Sequence, residues 1–122
     1  MAKAISVRQP WAWLLVHGHK DIENRNWRPK HRGKLFIHAA QKIDKPAYQK
    51  MIDHGYELPP MDQLVTGAII GHVDLVDVVQ HSDSPWFTGP NGLVVENARI
   101  YINPLPLKGQ LNIFETGIEV TT

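Results

Sequence analysis

The chain has 122 residues, a length that fits one domain with a single hydrophobic core. Its residues are 43% hydrophobic and 20% charged, which is typical of a soluble globular protein. The absence of cysteine excludes disulfides, thiolate zinc sites and a cysteine nucleophile. The N-terminus lacks the apolar core of a signal peptide, and no apolar run approaches the roughly 18 residues of a spanning helix. We therefore expect one cytoplasmic domain, residues 1–122, with no membrane partner.

The net charge of +1 conceals an uneven distribution along the chain. Residues 1–50 hold eleven Lys and Arg against three acidic residues, a net charge of +8. Residues 51–122 hold two basic and nine acidic residues, a net charge of −7. Such asymmetry suggests a polyanionic partner for the basic half, unless the fold mixes the two halves and the charges cancel.

The start of the chain predicts a strand followed by a helix. Residues 4–9 alternate apolar and polar side chains and stop at Pro10, as a short strand does. Pro10 also suits the first turn of a helix, and apolar residues recur at helical spacing from there to Gly18, which favours a helix end. Residues 21–25 are then predicted to be extended, with Ile22 facing the core.

The middle of the chain predicts a second strand and a second helix. Residues 34–40 (KLFIHAA) are rich in apolar strand formers. A helix is predicted to begin after Asp44, which is a good N-cap residue and is followed by Pro46 in the first turn. The same helix is predicted to end at Gly55. Residues 57–64 are predicted to be a loop.

Three more strands are predicted, at residues 67–79, 93–102 and 110–120. In the first of these, every second residue counted from Ile69 gives the more apolar face, and Gly71 indicates a bend or bulge. Five or six strands with two helices predict an α+β fold. A small mixed β-barrel or a strongly bent sheet with helices at its edges fits best.

Lys20, Glu23 and Arg25 form a dense group of ionisable residues directly after the first helix. In an extended segment Glu23 and Arg25 share one side and Lys20 lies on the other, so a turn near Gly18 is needed to bring all three to one cleft. There they would supply a lysine beside a carboxylate and a planar fork for phosphate. An exposed ion pair between Lys20 and Glu23, worth little, is the alternative.

Basic residues surround a tryptophan in the segment that follows. The members are Arg25, Trp27, Arg28, Lys30, His31, Arg32 and Lys34. Single-stranded nucleic acid is bound by this combination, because cations follow the phosphates while a ring stacks on a base. A solvated loop with Trp27 packed in the core is the alternative. Trp86, in a polar loop, is a candidate cleft wall, whereas Trp11 and Trp13 are assigned to the core.

Signals for other kinds of chemistry are missing from the sequence. The seven histidines show no metal-ligand spacing, and we predict no metal. There is no G-x-S-x-G nucleophile elbow and no glycine-rich phosphate loop. We expect no cofactor.

Four blocks of the chain resemble one family, in the same order. They are ISVRQPWAWLLVHGHKDIENRNW, HRGKLFIHAAQK, GAIIGHVDLVDVV and DSPWF. The first block contains G-x-K-x-x-E-x-R complete, as Gly18, Lys20, Glu23 and Arg25. Together these blocks resemble the ASCH domain, the module named for its relation to activating signal cointegrator 1, within the PUA-like superfamily.

The resemblance implies a PUA-like fold, a small mixed β-barrel of five or six strands with two flanking helices, and a cleft lined by the motif. It also implies recognition of RNA, DNA or a nucleobase. Some bacterial relatives are amidohydrolases that deacetylate N4-acetylcytidine with the motif lysine, a threonine three residues later and a distant glutamate. Here Lys20 matches that lysine, but Glu23 stands at the threonine position. Other relatives have been described as ribonucleases, and a lysine with a carboxylate and no metal would suit that activity.

We therefore predict a nucleic-acid-binding module that takes RNA, single-stranded nucleic acid or one nucleotide into a cleft. An enzyme, an amidohydrolase or metal-independent ribonuclease with Lys20 and Glu23 as catalytic residues, is the alternative. A protein-binding adaptor is a third interpretation. The predicted binding residues are Ser6, Gln9, Lys20, Glu23, Arg25, Trp27, Arg28, Lys30, Arg32, Lys34, Ser84 and Trp86.

Overall fold

The computed structural model describes residues 2–118. Within them lie six strands: β1 (Lys3–Gln9), β2 (Ile22–Arg25), β3 (Gly33–Ile43), β4 (Ala68–Val79), β5 (Asn91–Pro106) and β6 (Ile113–Glu115). The helices are α1 (Trp11–Val16) and α2 (Lys45–Asp53), and a 3-10 turn spans Met61–Gln63. Neither α-helix is long and apolar enough to cross a membrane. The last strand, predicted over 110–120, has only three residues, and positions 119 and 120 lie outside the described part.

All six strands form one mixed sheet with the order β2-β5-β4-β3-β1-β6. β1 and β3 are parallel, and every other neighbouring pair is antiparallel. The α+β class, the six strands and the two helices are therefore confirmed. Strands from the basic and acidic halves of the chain are mixed in this order, so the charge asymmetry along the sequence does not divide the sheet into two halves.

The prediction that the sheet closes into a barrel is wrong for residues 2–118. Backbone pairing leaves β2, which has four residues, and β6, which has three, as the edges of the sheet. A side chain connects β2 to β1 instead: Nη2 of Arg25 donates to the carbonyl oxygen of Ser6 at 2.9 Å. The sheet is thus bent enough to bring its β2 edge beside β1 without a continuous backbone ladder.

The main core lies between α1 and the inner face of the bent sheet. Leu15 of α1 is buried together with Leu35, Val73 and Leu93 from the central strands. At Gly71 an added Cβ would lie 2.1 Å from the carbonyl oxygen of Arg99 and 2.8 Å from a methyl of Val16. Only glycine therefore lets β4 pass this close to both neighbours, and the predicted irregularity at Gly71 is confirmed by the register shift there. The close approach of β4 to Val16 of α1 keeps the helix, and the segment after it, packed against the sheet.

The predicted alternation in β4 holds only from Gly71 to Leu75, because the residues from Ala68 to Gly71 are all buried and the pattern reverses after Leu75. Ile69, Val73 and Leu75 are buried, but Asp77 is exposed and Val78 is buried in its place. The pairing of β4 with β5 shifts register between Leu75 and Asp77, and such a shift moves the next side chain to the other face.

Candidate functional site

A turn after α1 brings the charged residues of the motif together. Gly18 has a φ of +76°, which favours glycine. The N–H groups of His19 and Lys20 both donate to the carbonyl oxygen of Leu14, at 3.0 and 3.1 Å. The chain reverses at this point, and the side chain of Lys20 is directed inward, where only 5% of it is exposed.

Glu23 lies between two cations. Its Oε1 is 2.9 Å from Nζ of Lys20, and its Oε2 is 3.0 Å from both Nε and Nη2 of Arg25. The glutamate side chain is 13% exposed, so the group is a largely buried network and not an exposed ion pair. Two cations against one carboxylate leave a local charge of +1, which favours an anion.

Both cations keep donors for a ligand. Lys20 also donates to the carbonyl oxygen of Ile22, so two of its three protons are used. Its Nζ lies 5.8 Å from the centre of the Trp11 ring, within cation–π range. The hydrogen bonds of Arg25 within residues 2–118 use Nε and Nη2, which leaves Nη1.

A cleft of about 530 Å³ opens beside Lys20 and Glu23, and we call it the aromatic cleft. Three rings line it: Trp11 at the start of α1, Tyr56 after α2, and Trp86 in the loop between β4 and β5. The centre of the Trp86 ring is 6.5 Å from that of Trp11 and 5.8 Å from that of Tyr56, so the rings form one continuous wall. The volume lies within the roughly 300–1,000 Å³ of typical small-molecule sites.

Asn24 fixes the loop that carries Trp86. Its Nδ2 donates to the carbonyl oxygen of Trp86 at 2.9 Å. Its Oδ1 accepts from the N–H groups of Thr88 and Gly89 at 2.8 and 3.0 Å. Three hydrogen bonds from one side chain of β2 therefore hold the loop against the cleft.

Ser84 and Gln9 were predicted to contact a ligand, and neither lines the aromatic cleft. The hydroxyl of Ser84 donates to Asp21 at 2.6 Å and accepts from the N–H of Trp86 at 3.2 Å, so it positions that loop. Gln9 is 1% exposed. Its amide donates to the carbonyl oxygen of Val65 at 2.9 Å and accepts from the N–H of Trp13 at 2.9 Å, so its hydrogen bonds are used within the fold.

A second cleft of about 590 Å³ adjoins the aromatic cleft and shares Trp11, Glu23 and Asn24 with it. Ser6, Arg25 and Trp27 line it, and the guanidinium carbon of Arg25 is 5.9 Å from the centre of the Trp27 ring. Trp27 also packs on the main core, as the alternative interpretation expected, and its stacking on a base stays a prediction. Six of the twelve predicted residues therefore line one or both of the two clefts, which share Glu23.

The hydroxyl of Ser6 is also engaged within the fold. It lies 2.9 Å from Nδ1 of His38, while Nε2 of His38 lies 2.5 Å from the carbonyl oxygen of Leu107. Because a carbonyl oxygen only accepts, Nε2 carries the proton and Nδ1 accepts from the serine. Ser6 thus connects β1, β3 and the segment after β5, and the carbonyl of Ser6 binds Arg25.

The basic side chains of the 28–34 segment lie outside the linings of both clefts. Arg28, Lys30 and Arg32 are exposed, and Arg32 donates to the carbonyl oxygens of Pro29 and His31 in its own loop. Lys34 is the second residue of β3, with Nζ 5.6 Å from the centre of the Phe36 ring. These side chains follow Trp27, which lines the second cleft, in sequence.

Sequence reasoning missed several residues of the aromatic cleft. Lys50 and His54 line it from α2, and their spacing of four places them on one helix face, which is the signal that was available. Tyr56, Asn24 and Trp11 are also in the lining, although Trp11 was assigned to the core. No group of three or more His, Asp or Glu side chains within residues 2–118 is arranged to hold a metal ion.

The structure is a single-sheet α+β module with a charged motif beside a cleft. Comparison with known families identifies which modules of this kind the chain is related to. The family model of the ASCH domain matches residues 5–97. The chain therefore belongs to the ASCH domain family, and the resemblance seen in the four sequence blocks is confirmed.

Two curated proteins are similar to the chain. They are activating signal cointegrator 1 of Homo sapiens, 31% identical over 137 residues, and of Mus musculus, 30% identical over 137 residues. Each match covers 95% of this chain and 22% of the relative, so the chain spans about a fifth of their length.

Solved structures of an ASCH protein from Zymomonas mobilis share the fold. The wild-type protein and one of its point mutants each superpose with a TM-score of 0.59, at 14% and 15% identity. The matches cover 93% of this chain and 85% and 88% of those chains. At this identity the likeness shows the fold alone.

Proposed function

We propose that the chain binds RNA or other single-stranded nucleic acid by taking one nucleotide into the aromatic cleft. The observation that carries the proposal is the meeting of three rings, Trp11, Tyr56 and Trp86, with the Lys20–Glu23 pair in one cleft. A base stacks on an aromatic wall whatever its identity, because every base has a flat face. The polar floor beside the rings can then contact the edge of the base.

The charged network supplies both recognition and electrostatic attraction. The remaining proton of Lys20 suits a carbonyl oxygen or ring nitrogen of a base, and the fixed carboxylate of Glu23 suits an exocyclic amino group. The local charge of +1 attracts a phosphate. Nη1 of Arg25 in the second cleft and the exposed cations beyond Trp27 are the candidates to hold the flanking backbone.

Binding of a labelled RNA oligomer at low and moderate salt tests this proposal. We expect the affinity to fall with salt, because each neutralised phosphate releases counterions. Lys20→Met and Trp86→Ala should each weaken binding about tenfold, whereas Lys45→Ala, at an exposed cation of α2, should change it little. An affinity that neither salt nor the two cleft variants change would refute the proposal.

A hydrolase acting on a modified nucleoside or on RNA is the second candidate, favoured by a lysine beside a carboxylate in a cleft. Attack or proton abstraction by Lys20 needs a free lone pair on Nζ. Here Nζ donates to both Glu23 and Ile22, so its third position can hold either the proton that binding uses or the lone pair that catalysis needs. Turnover of N4-acetylcytidine or of labelled RNA that Lys20→Ala abolishes would favour the enzyme instead.

A further inference from the structure

Three further aromatic rings continue the wall of the aromatic cleft from Tyr56 across the surface. The Tyr56 ring, which touches Trp86 in the cleft, lies 5.5 Å from His19. His19 lies 5.7 Å from Trp13 with nearly parallel planes, at 21°. Trp13 in turn stacks on His17 at 3.7 Å and 18°. We call these four residues the aromatic row.

Local structure explains how the row forms. Trp13 and His17 are four positions apart, which places one ring above the other on a helix. The positive φ of Gly18 then turns the chain back, so that His19 reaches the same side. A hydrogen bond of 2.8 Å between Nδ1 of His17 and the carbonyl oxygen of Trp13 fixes the last ring.

The row contributes little to the hydrophobic core. Trp11 and Trp27 pack against the main buried cluster, but Trp13 is not among the side chains that pack on either buried cluster of residues 2–118. His19 is exposed, and His17, Trp13 and Tyr56 are half-buried. Trp13 stacks on two histidines at the surface, so the four side chains form one continuous, partly exposed aromatic patch, and such patches commonly mark binding sites.

We infer that the aromatic row binds the bases of the nucleotides that flank the one in the aromatic cleft, an inference that rests on the proposed function. The row begins at Tyr56, where the cleft ends, so a strand leaving the cleft meets it without a gap. Its members are flat rings rather than aliphatic side chains, which suits stacked bases better than an apolar peptide. Lys50 and His54 lie at the same mouth and can contact the connecting phosphate.

The ionisation of His17 agrees with this role. Burial, and to a smaller extent the charge of His19, lower the pKa of His17, although its hydrogen bond to Trp13 raises it. At neutral pH the imidazole is therefore uncharged, and it stacks on Trp13 as an aromatic ring. The contribution of the row should accordingly depend little on salt, in contrast to that of the phosphate contacts.

Affinity measured against chain length tests the inference. The four nucleoside monophosphates are titrated first, and then a dinucleotide, a trinucleotide and a hexanucleotide of the base that binds best. We expect affinity to rise with length, and Trp13→Ala to lower hexanucleotide affinity about tenfold while the mononucleotide affinity stays unchanged. His19→Ala should act in the same direction. Trp13→Phe should keep most of the affinity, and His81→Ala, at an exposed histidine outside the row, all of it.

The possible failures are distinguishable. If the mononucleotide binds but affinity does not rise with length, or rises equally in Trp13→Ala, the inference is wrong and the proposed function stands. If neither mononucleotides nor oligomers bind, the proposed function fails and the inference fails with it. Loss of mononucleotide binding in a folded Trp13→Ala variant would also overturn the inference, because it would place Trp13 in the cleft itself.

Discussion

Asn24 and Trp86 are 62 positions apart, and Nδ2 of the first donates a 2.9 Å hydrogen bond to the carbonyl oxygen of the second. This bond joins the edge strand β2 to the loop that supplies one wall of the aromatic cleft. The motif residues and the cleft wall are therefore held at a fixed distance by a side chain that belongs to the same strand as Glu23.

Replacement of Asn24 by alanine should loosen this wall. Three hydrogen bonds disappear, and at about 1 kcal/mol each the free energy of unfolding should fall by about 2–3 kcal/mol. Urea denaturation measures the loss. Asn24→Asp keeps the acceptor for Thr88 and Gly89 but places a carboxylate oxygen against the carbonyl oxygen of Trp86, so it should cost less than alanine only if the two acceptor bonds outweigh this repulsion. A loss well below about 1 kcal/mol in Asn24→Ala, the value of a single hydrogen bond, would show that the three bonds contribute little.

Glu23→Gln should be more damaging than an ordinary charge removal. It leaves Lys20 and Arg25 largely buried without their shared counter-ion, and removing one partner of such a group costs about 3 kcal/mol. Glu115→Gln is the matched control, because the Lys3–Glu115 pair at 2.7 Å is exposed by 39% and 40% and should contribute little. Similar unfolding free energies for the two variants would contradict the buried character of the network.

Local signals explain why much of the fold was predictable. Asp44 accepts from the N–H of Ala47 at 3.1 Å and caps α2 as the sequence indicates. Gly18 ends α1 through another local signal, its positive φ. Lys20, Glu23 and Arg25 all follow within a few residues of it. A pattern that needs only neighbours in sequence can be recognised without knowledge of the fold.

Contacts between distant segments explain what was missed. The side-chain amide of Gln9 is able to donate to a ligand. Instead it donates to the carbonyl oxygen of Val65, 56 positions later, and is used within the fold. Tyr56 faces Trp86 only because α2 ends beside the loop between β4 and β5. The barrel prediction failed in the same way, since closure requires pairing between β2 and β6, two strands far apart in sequence, and no periodic pattern fixes such a pairing.

Stability should fall on mild acidification because two histidines have lowered pKa values. Burial is the main cause for both, and Lys34 and Arg99 add to it at His72 against Asp74. In the unfolded chain both histidines have a pKa near 6.5. At pH values between about 6.5 and the lower native pKa, the unfolded chain therefore binds more protons than the native protein. Unfolding free energy should therefore decrease as the pH falls from neutral through about 6.5 and level off below the native pKa.

Variants identify the source of this pH dependence. His17→Gln and His72→Gln should each give a shallower slope of unfolding free energy against pH than the native protein, measured by urea denaturation at several pH values. The His72 variant also removes the contact between Nδ1 and the hydroxyl of Tyr101 at 2.5 Å, so its stability at neutral pH should be lower. Slopes equal to that of the native chain in both variants would assign the pH dependence to other groups.

Gly71→Ala tests the close approach that seats α1 on the sheet. The new Cβ would lie 2.1 Å from a backbone oxygen of Arg99, and a backbone atom cannot rotate away as a side chain does. We expect a loss of at least about 3 kcal/mol or failure to fold, measured by thermal and urea denaturation. Gly55→Ala is the control, because its Cβ meets no atom within 4 Å and only the positive φ of 96° opposes it, at roughly 1–2 kcal/mol. A Gly71→Ala protein as stable as Gly55→Ala would mean that β4 and β5 separate easily at this point, and the position of Lys20 at the cleft would then not depend on their approach.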